Sequence, residues 1–226
     1  MNLQLAYSLN ASQRSDLTDA LTRVARLGYR GVELMADVPH LWPAYTPPNQ
    51  IVEVRRTIDR LGLSISNINA FMMNKLADPR QPYWHPSWIE PDLSYRQLRI
   101  DHTRKSLDMA RRLGAPTITT EPGGPIPEGM SYRQSMDTFI EMLKPVIAHA
   151  ERCNVLLLVE PEPGLLIERF EQYEELAAAI DSPFLGLNFD VGHAYCVSQE
   201  PSEWITRMSK DTRHYHLEDI AATRVH

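Results

Sequence analysis

Cysteine is nearly absent: the 226 residues contain two, Cys153 and Cys196. That is too few for a disulfide framework, and their spacing is that of neither a zinc ribbon nor a redox CxxC pair. A reducing, cytoplasmic setting is the expectation. Long apolar runs are missing too; stretches such as Val155 to Val159 are short, against about 20 residues for a membrane span. The segment Met1 to Leu5 lacks the basic and apolar regions of a secretory leader, so neither export nor a membrane partner is expected. Positive charge is in deficit, 23 basic against 29 acidic side chains for a formal net charge of −6. Sequence-independent binding to polyanions draws on clustered Lys and Arg, so the balance speaks against a nucleic-acid partner and for a small-molecule site. Glycine is outnumbered by proline, 10 to 17. No phosphate loop follows the first apolar segment, since Leu9-Asn10-Ala11-Ser12 matches neither GxGxxG nor GxxxxGK[ST].

What the chain does have is recurring punctuation. Arg26-Leu27-Gly28, Arg60-Leu61-Gly62 and Arg112-Leu113-Gly114, with Arg152-Cys153-Asn154 as a weaker copy, each close a helical pattern and precede a short apolar run. Gly or Asn suits the left-handed position after a helix, and a basic residue in the last turn complements the dipole. Periodicity predicts strands at 3–9, 31–36, 64–71, 117–121, 155–160, 185–190 and 213–218, and helices at 16–27, 49–61, 94–113, 131–152, 169–180 and 201–209. Ser15-Asp16, Asn49, Ser94 and Ser131 stand where helix N-caps belong. Pro145 falls inside the fourth helix and is expected to kink or restart it; the other prolines mostly stiffen loops after strands.

Unbroken β-α alternation implies parallel strands with right-handed crossovers, in an open doubly wound sheet or a (β/α)8 barrel. The barrel is favoured because polar residues close many strands, namely Glu33, Asn69, Glu121, Glu160, Asp190 and His216, and barrel enzymes place their chemistry there. A full barrel typically takes about 250 residues and eight strands. The expectation is therefore α/β: one domain over 1–226, a TIM barrel truncated after its seventh strand, with the gap closed by further chain or by a partner such as a second copy.

Glu160, Asp190, His193 and His216 form the most informative constellation. Two carboxylates and an imidazole suit a divalent cation, Mn²⁺, Mg²⁺, Co²⁺ or Zn²⁺. Of His214 and His216, only His216 is expected to face the barrel interior, with His214 packed against a helix. The segment 72–93, with Met72, Met73, Tyr83, Trp84, His85 and Trp88, is long for a βα loop and reads as an aromatic lid in which Trp84 touches substrate. Asn69 is assigned to substrate as well, whereas Glu121 could bind a substrate hydroxyl or form a salt bridge at its loop. Cys196 and the Met pair read as packing, and Glu162, Glu218 and Asp219 as loop or supporting groups, with Asp219 able to orient an imidazole.

The runs GVEL at Gly31 to Leu34, VEPEPG around Glu160, NFDVGHA around Asp190 and His193, and HLEDIAATRVH from His216 to His226 resemble the xylose isomerase-like barrels. That family includes sugar isomerases, ketose 3-epimerases, inosose-processing enzymes and type IV apurinic endonucleases. The resemblance implies metal ligation by Glu160, Asp190 and His216, with Mn²⁺ the first choice, and substrate contacts from His193 and Arg224. It also implies proton transfer by Glu160 beside a ketone of a sugar or polyol. A second Glu from an eighth strand completes the site in the epimerases, and this sequence ends before such a strand. A keto-sugar lyase or dehydratase is a near neighbour. The endonuclease branch is disfavoured, because strands three and four end in Asn69 and Glu121 rather than His, the nearest histidines being His85 and His102. His226 matches a ligand of that branch, but Arg224 stands where it has Asp. A non-catalytic barrel scaffold is the reading from a different class.

Overall fold

The computed structural model of the protein describes residues 4–71, 73 and 80–220. The strands are β1 (Ala6–Ser8), β2 (Gly31–Met35), β3 (Ser64–Asn69), β4 (Thr117–Thr120), β5 (Leu156–Val159), β6 (Leu185–Asp190) and β7 (Thr212–His216). Helices α1 (Leu17–Arg26), α2 (Pro48–Arg60), α3 (Leu93–Leu113), α4 (Tyr132–Cys153) and α5 (Phe170–Ile180) follow the first five strands, and α6 (Val191–Cys196) and α7 (Pro201–Arg207) lie between β6 and β7. The strands form one parallel sheet in the order β1 to β7. Every neighbour pair is consecutive in sequence, as the barrel reading requires and an open doubly wound sheet does not.

The sheet curls far enough for β7 to meet β2 and β3 across its interior. His216 Nε2 lies 2.9 Å from Glu33 Oε2, and His214 Nε2 lies 3.2 Å from Ser66 Oγ. Among the described residues β1 and β7 are the two edges. This is the barrel as expected from the sequence, carried through seven strands.

The helix stops work as the residues suggest. Gly114 after α3 and Asn154 after α4 sit at φ 72° and 53°, and their N–H groups close back on the last turn. The next strands then open at Thr117 and Leu156. Asp16 caps α1 by accepting from Thr18 N–H, and Ser131 caps α4 in a reciprocal box with Gln134. Two caps differ from expectation. Asp92, not Ser94, caps α3, its side chain accepting from Ser94 N–H; α2 starts at Pro48, which sets its own φ and puts Asn49 inside the helix. Helix α4 runs on through Pro145 from Tyr132 to Cys153, so no restart occurs there.

Between sheet and helices lies an apolar layer that includes Leu21, Val24, Ile58, Leu107, Phe139, Leu143 and Leu176. The inside of the sheet is different. Asn67 Nδ2 donates to Glu33 Oε2 and to Thr119 Oγ1, both at 2.7 Å, while Thr117 Oγ1 donates to Asn67 Oδ1 at 2.7 Å. His214 Nδ1 donates to Asn188 Oδ1 at 3.0 Å. The expectation that His214 packs on a helix is therefore wrong. Strand side chains repeat every two residues, so His214 and His216 share a face, and both imidazoles point inward.

Candidate active site

The C-terminal ends of the strands gather the acidic residues. Asp190 ends β6 and caps α6, its Oδ1 accepting from His193 N–H at 3.0 Å. Glu160 follows β5 directly, and His216 ends β7. One ligand atom from each of Glu160, Asp190 and His216 lies within 4.8 Å of the others. The three line a cleft of about 310 Å³ together with Asn10, Asn69, Phe71, Tyr83, Glu162, His193 and Glu218, small for a ligand pocket but within the usual range.

His216 is held between two carboxylates. Nδ1 lies 2.6 Å from Glu160 Oε1, and Nε2 lies 2.9 Å from Glu33 Oε2. A carboxylate only accepts, so without a cation both ring nitrogens carry hydrogen, and a cation held by His216 takes the place of one of those protons. Burial alone would lower the His216 pKa, but Glu160 and Glu33 hold it well above the ordinary imidazole value. Glu33 responds in kind: burial would raise it, and His216, His214 and Ser8 Oγ, 2.5 Å away, keep it well below the usual carboxylate range. Asp190 is pushed up by burial, against His193 and with the help of Glu160. His193 donates Nδ1–H to the Pro161 carbonyl at 2.8 Å, which fixes the ring and turns Nε2 into the cleft. There Nε2 meets Glu162 at 3.4 Å, Glu218 at 3.8 Å and Asp190 at 3.9 Å.

Four carboxylates, Glu160, Glu162, Asp190 and Glu218, thus line a cleft that holds two imidazoles. A divalent cation is the natural complement of such a set. Glu160, Asp190 and His216 could hold it, and two further groups with closely spaced donors, Glu33 with His214 and His216, and Asp190 with His193 and Glu218, border the same space.

A family model described as xylose isomerase-like TIM barrel matches residues 21–225. The chain belongs to the xylose isomerase-like TIM-barrel family. A 3-oxo-isoapionate decarboxylase of Pectobacterium atrosepticum is 28% identical over 138 residues, covering 60% of this chain and 46% of that one. The chain thus spans less than half the length of that curated relative. A solved D-tagatose 3-epimerase-like protein superposes with a TM-score of 0.78 at 22% identity, over 96% of this chain and 76% of its own. An IolI protein solved with a bound zinc atom gives 0.75 at 15% identity, over 96% and 73%. At these identities the two structures speak for the fold.

On this family barrel the sequence-derived candidates separate into two groups. Asn69, Glu160, Asp190, His193 and His216 all reach the cleft. Glu121 does not. It is fully buried, with Oε1 accepting from Trp88 N–H at 2.9 Å, Oε2 from Gly123 N–H at 2.7 Å, and Arg99 Nε 4.0 Å away, so both its oxygens are taken by loop N–H groups. Burial pushes it up to about 7 against those partners. Trp84 also lies off the cleft, its carbonyl receiving Arg99 Nη2 and its ring set against His85. The neighbouring Tyr83 lines the cleft, stacked on Phe71 and donating to Glu162 Oε1 at 3.1 Å. Glu162 and Glu218, read as supporting groups, face the cleft directly. Arg224, His226 and Met72 lie outside the described residues.

Asn10, Phe71 and Glu33 were not singled out for the site from sequence. Glu33 carried a signal, being a carboxylate at a strand end, but its pairing with His216 across the barrel is visible only in three dimensions.

Proposed function

We propose that the protein is a divalent-metal-dependent isomerase or epimerase acting on a ketose, inosose or related polyol. The observation that carries this reading is the convergence of Glu160, Asp190 and His216 at the strand ends, inside a cleft whose other polar groups suit hydroxyl recognition. The donor set fits a cation: two carboxylates and one imidazole, mostly buried, with excess negative charge around them. Such N,O sites take Mn²⁺, Mg²⁺, Co²⁺ or Zn²⁺, and Mn²⁺ is our first choice.

When bound, the cation supplies charge that stabilises a developing enediolate oxygen. Glu160 moves the proton at the carbon beside the carbonyl, from a position fixed by its contact with His216. His193, with Nδ1 tied to Pro161 and Nε2 aimed inward, holds a substrate oxygen and stabilises charge on it. Asn69 and Glu162 bind hydroxyls, and Phe71 and Tyr83 close an apolar face that excludes water. Arg224 is assigned to a substrate oxygen by family resemblance.

The test is turnover of the full-length protein on a panel of ketoses and inososes with Mn²⁺, and with Glu160→Gln and a chelated sample alongside. Incorporation of solvent deuterium at the carbon next to the carbonyl is the expected signature. Full turnover in both controls would remove the reading. A second reading, a lyase on the same enolate, draws on the decarboxylase among the relatives; it predicts carbon dioxide release from a 3-keto acid in place of isomerised product.

A further inference from the structure

On the outer surface of the barrel, where α3 packs against α4, three side chains of different chemistry meet. Asp108 Oδ1 lies 2.9 Å from His149 Nε2 and 3.5 Å from Cys153 Sγ. His149 and Cys153 are four residues apart on α4 and so share one face of it. Arg152 donates to His149 Nδ1 at 3.2 Å, which leaves the ring proton on Nε2. The imidazole N–H and the thiol S–H therefore both point at a single carboxylate oxygen.

We propose that Asp108, His149 and Cys153 form a second cation site, for a zinc-like divalent ion that ties α3 to α4 with water as fourth ligand. The three donor atoms already lie within 4.8 Å of one another. Tetrahedral zinc, with bonds of about 2.3 Å to sulfur and about 2.1 Å to nitrogen and oxygen, sets sulfur and oxygen roughly 3.6 Å apart and nitrogen and oxygen roughly 3.4 Å apart. The sulfur–oxygen separation of 3.5 Å fits as it stands. The nitrogen–oxygen pair has to open by about half an ångström, which the half-exposed Asp108 side chain allows.

The cation replaces the thiol proton, which leaves to solvent. The imidazole stays neutral by carrying its proton on Nδ1 instead of Nε2, and the exposed Arg152 side chain withdraws from Nδ1 to make room. One proton is released for each ion bound, as thiolate ligation demands. Thiolate in the set selects zinc, and cobalt as its substitute, over magnesium or manganese. The barrel mouth, with oxygen and nitrogen donors from Glu160, Asp190 and His216, offers no sulfur. The two sites are thus distinguishable by the thiolate ligand that only one of them supplies, and this inference does not depend on the proposed activity.

Cobalt(II) titration of the metal-stripped, reduced protein tests it, because a thiolate-to-cobalt charge-transfer band arises only where sulfur is a ligand. The expected result is a band that saturates at one equivalent per thiolate site, is abolished in Cys153→Ala, falls at least tenfold in apparent affinity in His149→Ala or Asp108→Ala, and persists in Cys196→Ala and Glu160→Gln. Zinc should bleach it, and magnesium should not. No band at saturating cobalt, or a band that survives Cys153→Ala, overturns the proposal. Should Cys153→Ala not fold, as judged by circular dichroism, the variants at the two partly exposed positions decide the matter: undiminished cobalt affinity in both His149→Ala and Asp108→Ala overturns the proposal equally.

Discussion

At the scale of single residues, the site is organised by one imidazole shared between carboxylates of different strands. Glu160→Gln keeps the shape of that contact but removes the charge, so turnover should fall by about 10²–10⁴-fold, the range for loss of a positioned proton-transfer group, with weaker cation retention measured by metal analysis. Glu33→Ala acts elsewhere: it strands the second nitrogen of His216 and leaves Asn67 and Ser8 without their acceptor. Breaking one side of a buried charged pair costs about 3–5 kcal/mol, readable by denaturant unfolding. Glu121 gives a pH dependence. Its carboxyl is raised to about 7 in the folded chain from an ordinary 4.5, so the folded form holds its proton more tightly than the unfolded form. Stability from this group is complete below about 4.5 and declines as pH rises toward 7. Glu121→Gln should flatten that slope in melting curves taken across the window, by about 3 kcal/mol at 1.36 kcal/mol per unit.

Legibility at this scale followed geometry. Glu160, Asp190 and His216 could be picked out because barrel strands deliver their last residues to one mouth. Tyr83 and Trp84 could not be told apart, since which of two adjacent aromatics faces inward depends on a loop conformation that carries no periodicity. His214 was misjudged although period-two alternation already places it beside His216.

At the scale of elements, the strand order and most helix limits were readable from the Arg-Leu-Gly stops, each of which fixes an end and starts the next strand. Helix α6 was not, because its six residues are too few to show a helical period and owe their fold to the Asp190 cap. The loop after β3 depends on Arg99, whose guanidinium donates to the carbonyls of Ala70, Phe71, Trp84 and Pro86. That single buried side chain fastens the end of β3 to the segment bearing Tyr83. Arg99→Met should leave four carbonyls short of a donor and Glu121 without its countercharge. We expect faster limited proteolysis within 80–92 and, on the proposed role of Tyr83 and Phe71 as a binding wall, a rise in KM larger than the loss in kcat.

At the scale of the whole molecule, four of the 29 acidic side chains, Glu160, Glu162, Asp190 and Glu218, border one opening. A cation bound there stabilises the fold by mass action: about 2.7 kcal/mol at a hundredfold excess over Kd. Thermal unfolding with graded Mn²⁺ should therefore show a Tm that climbs with the logarithm of concentration, and Asp190→Asn should blunt the climb.

The polar filling of the barrel has a consequence for how this sequence can change. An oily interior accepts substitutions that preserve volume, because dispersion has no direction. Here Ser8, Glu33, Asn67, Thr117, Thr119, Asn188, His214 and His216 are matched donor to acceptor. Each alteration leaves a neighbour facing the wrong way, so a viable lineage must move through these positions in coordinated steps. The inside of this barrel should drift more slowly than the apolar layer around it.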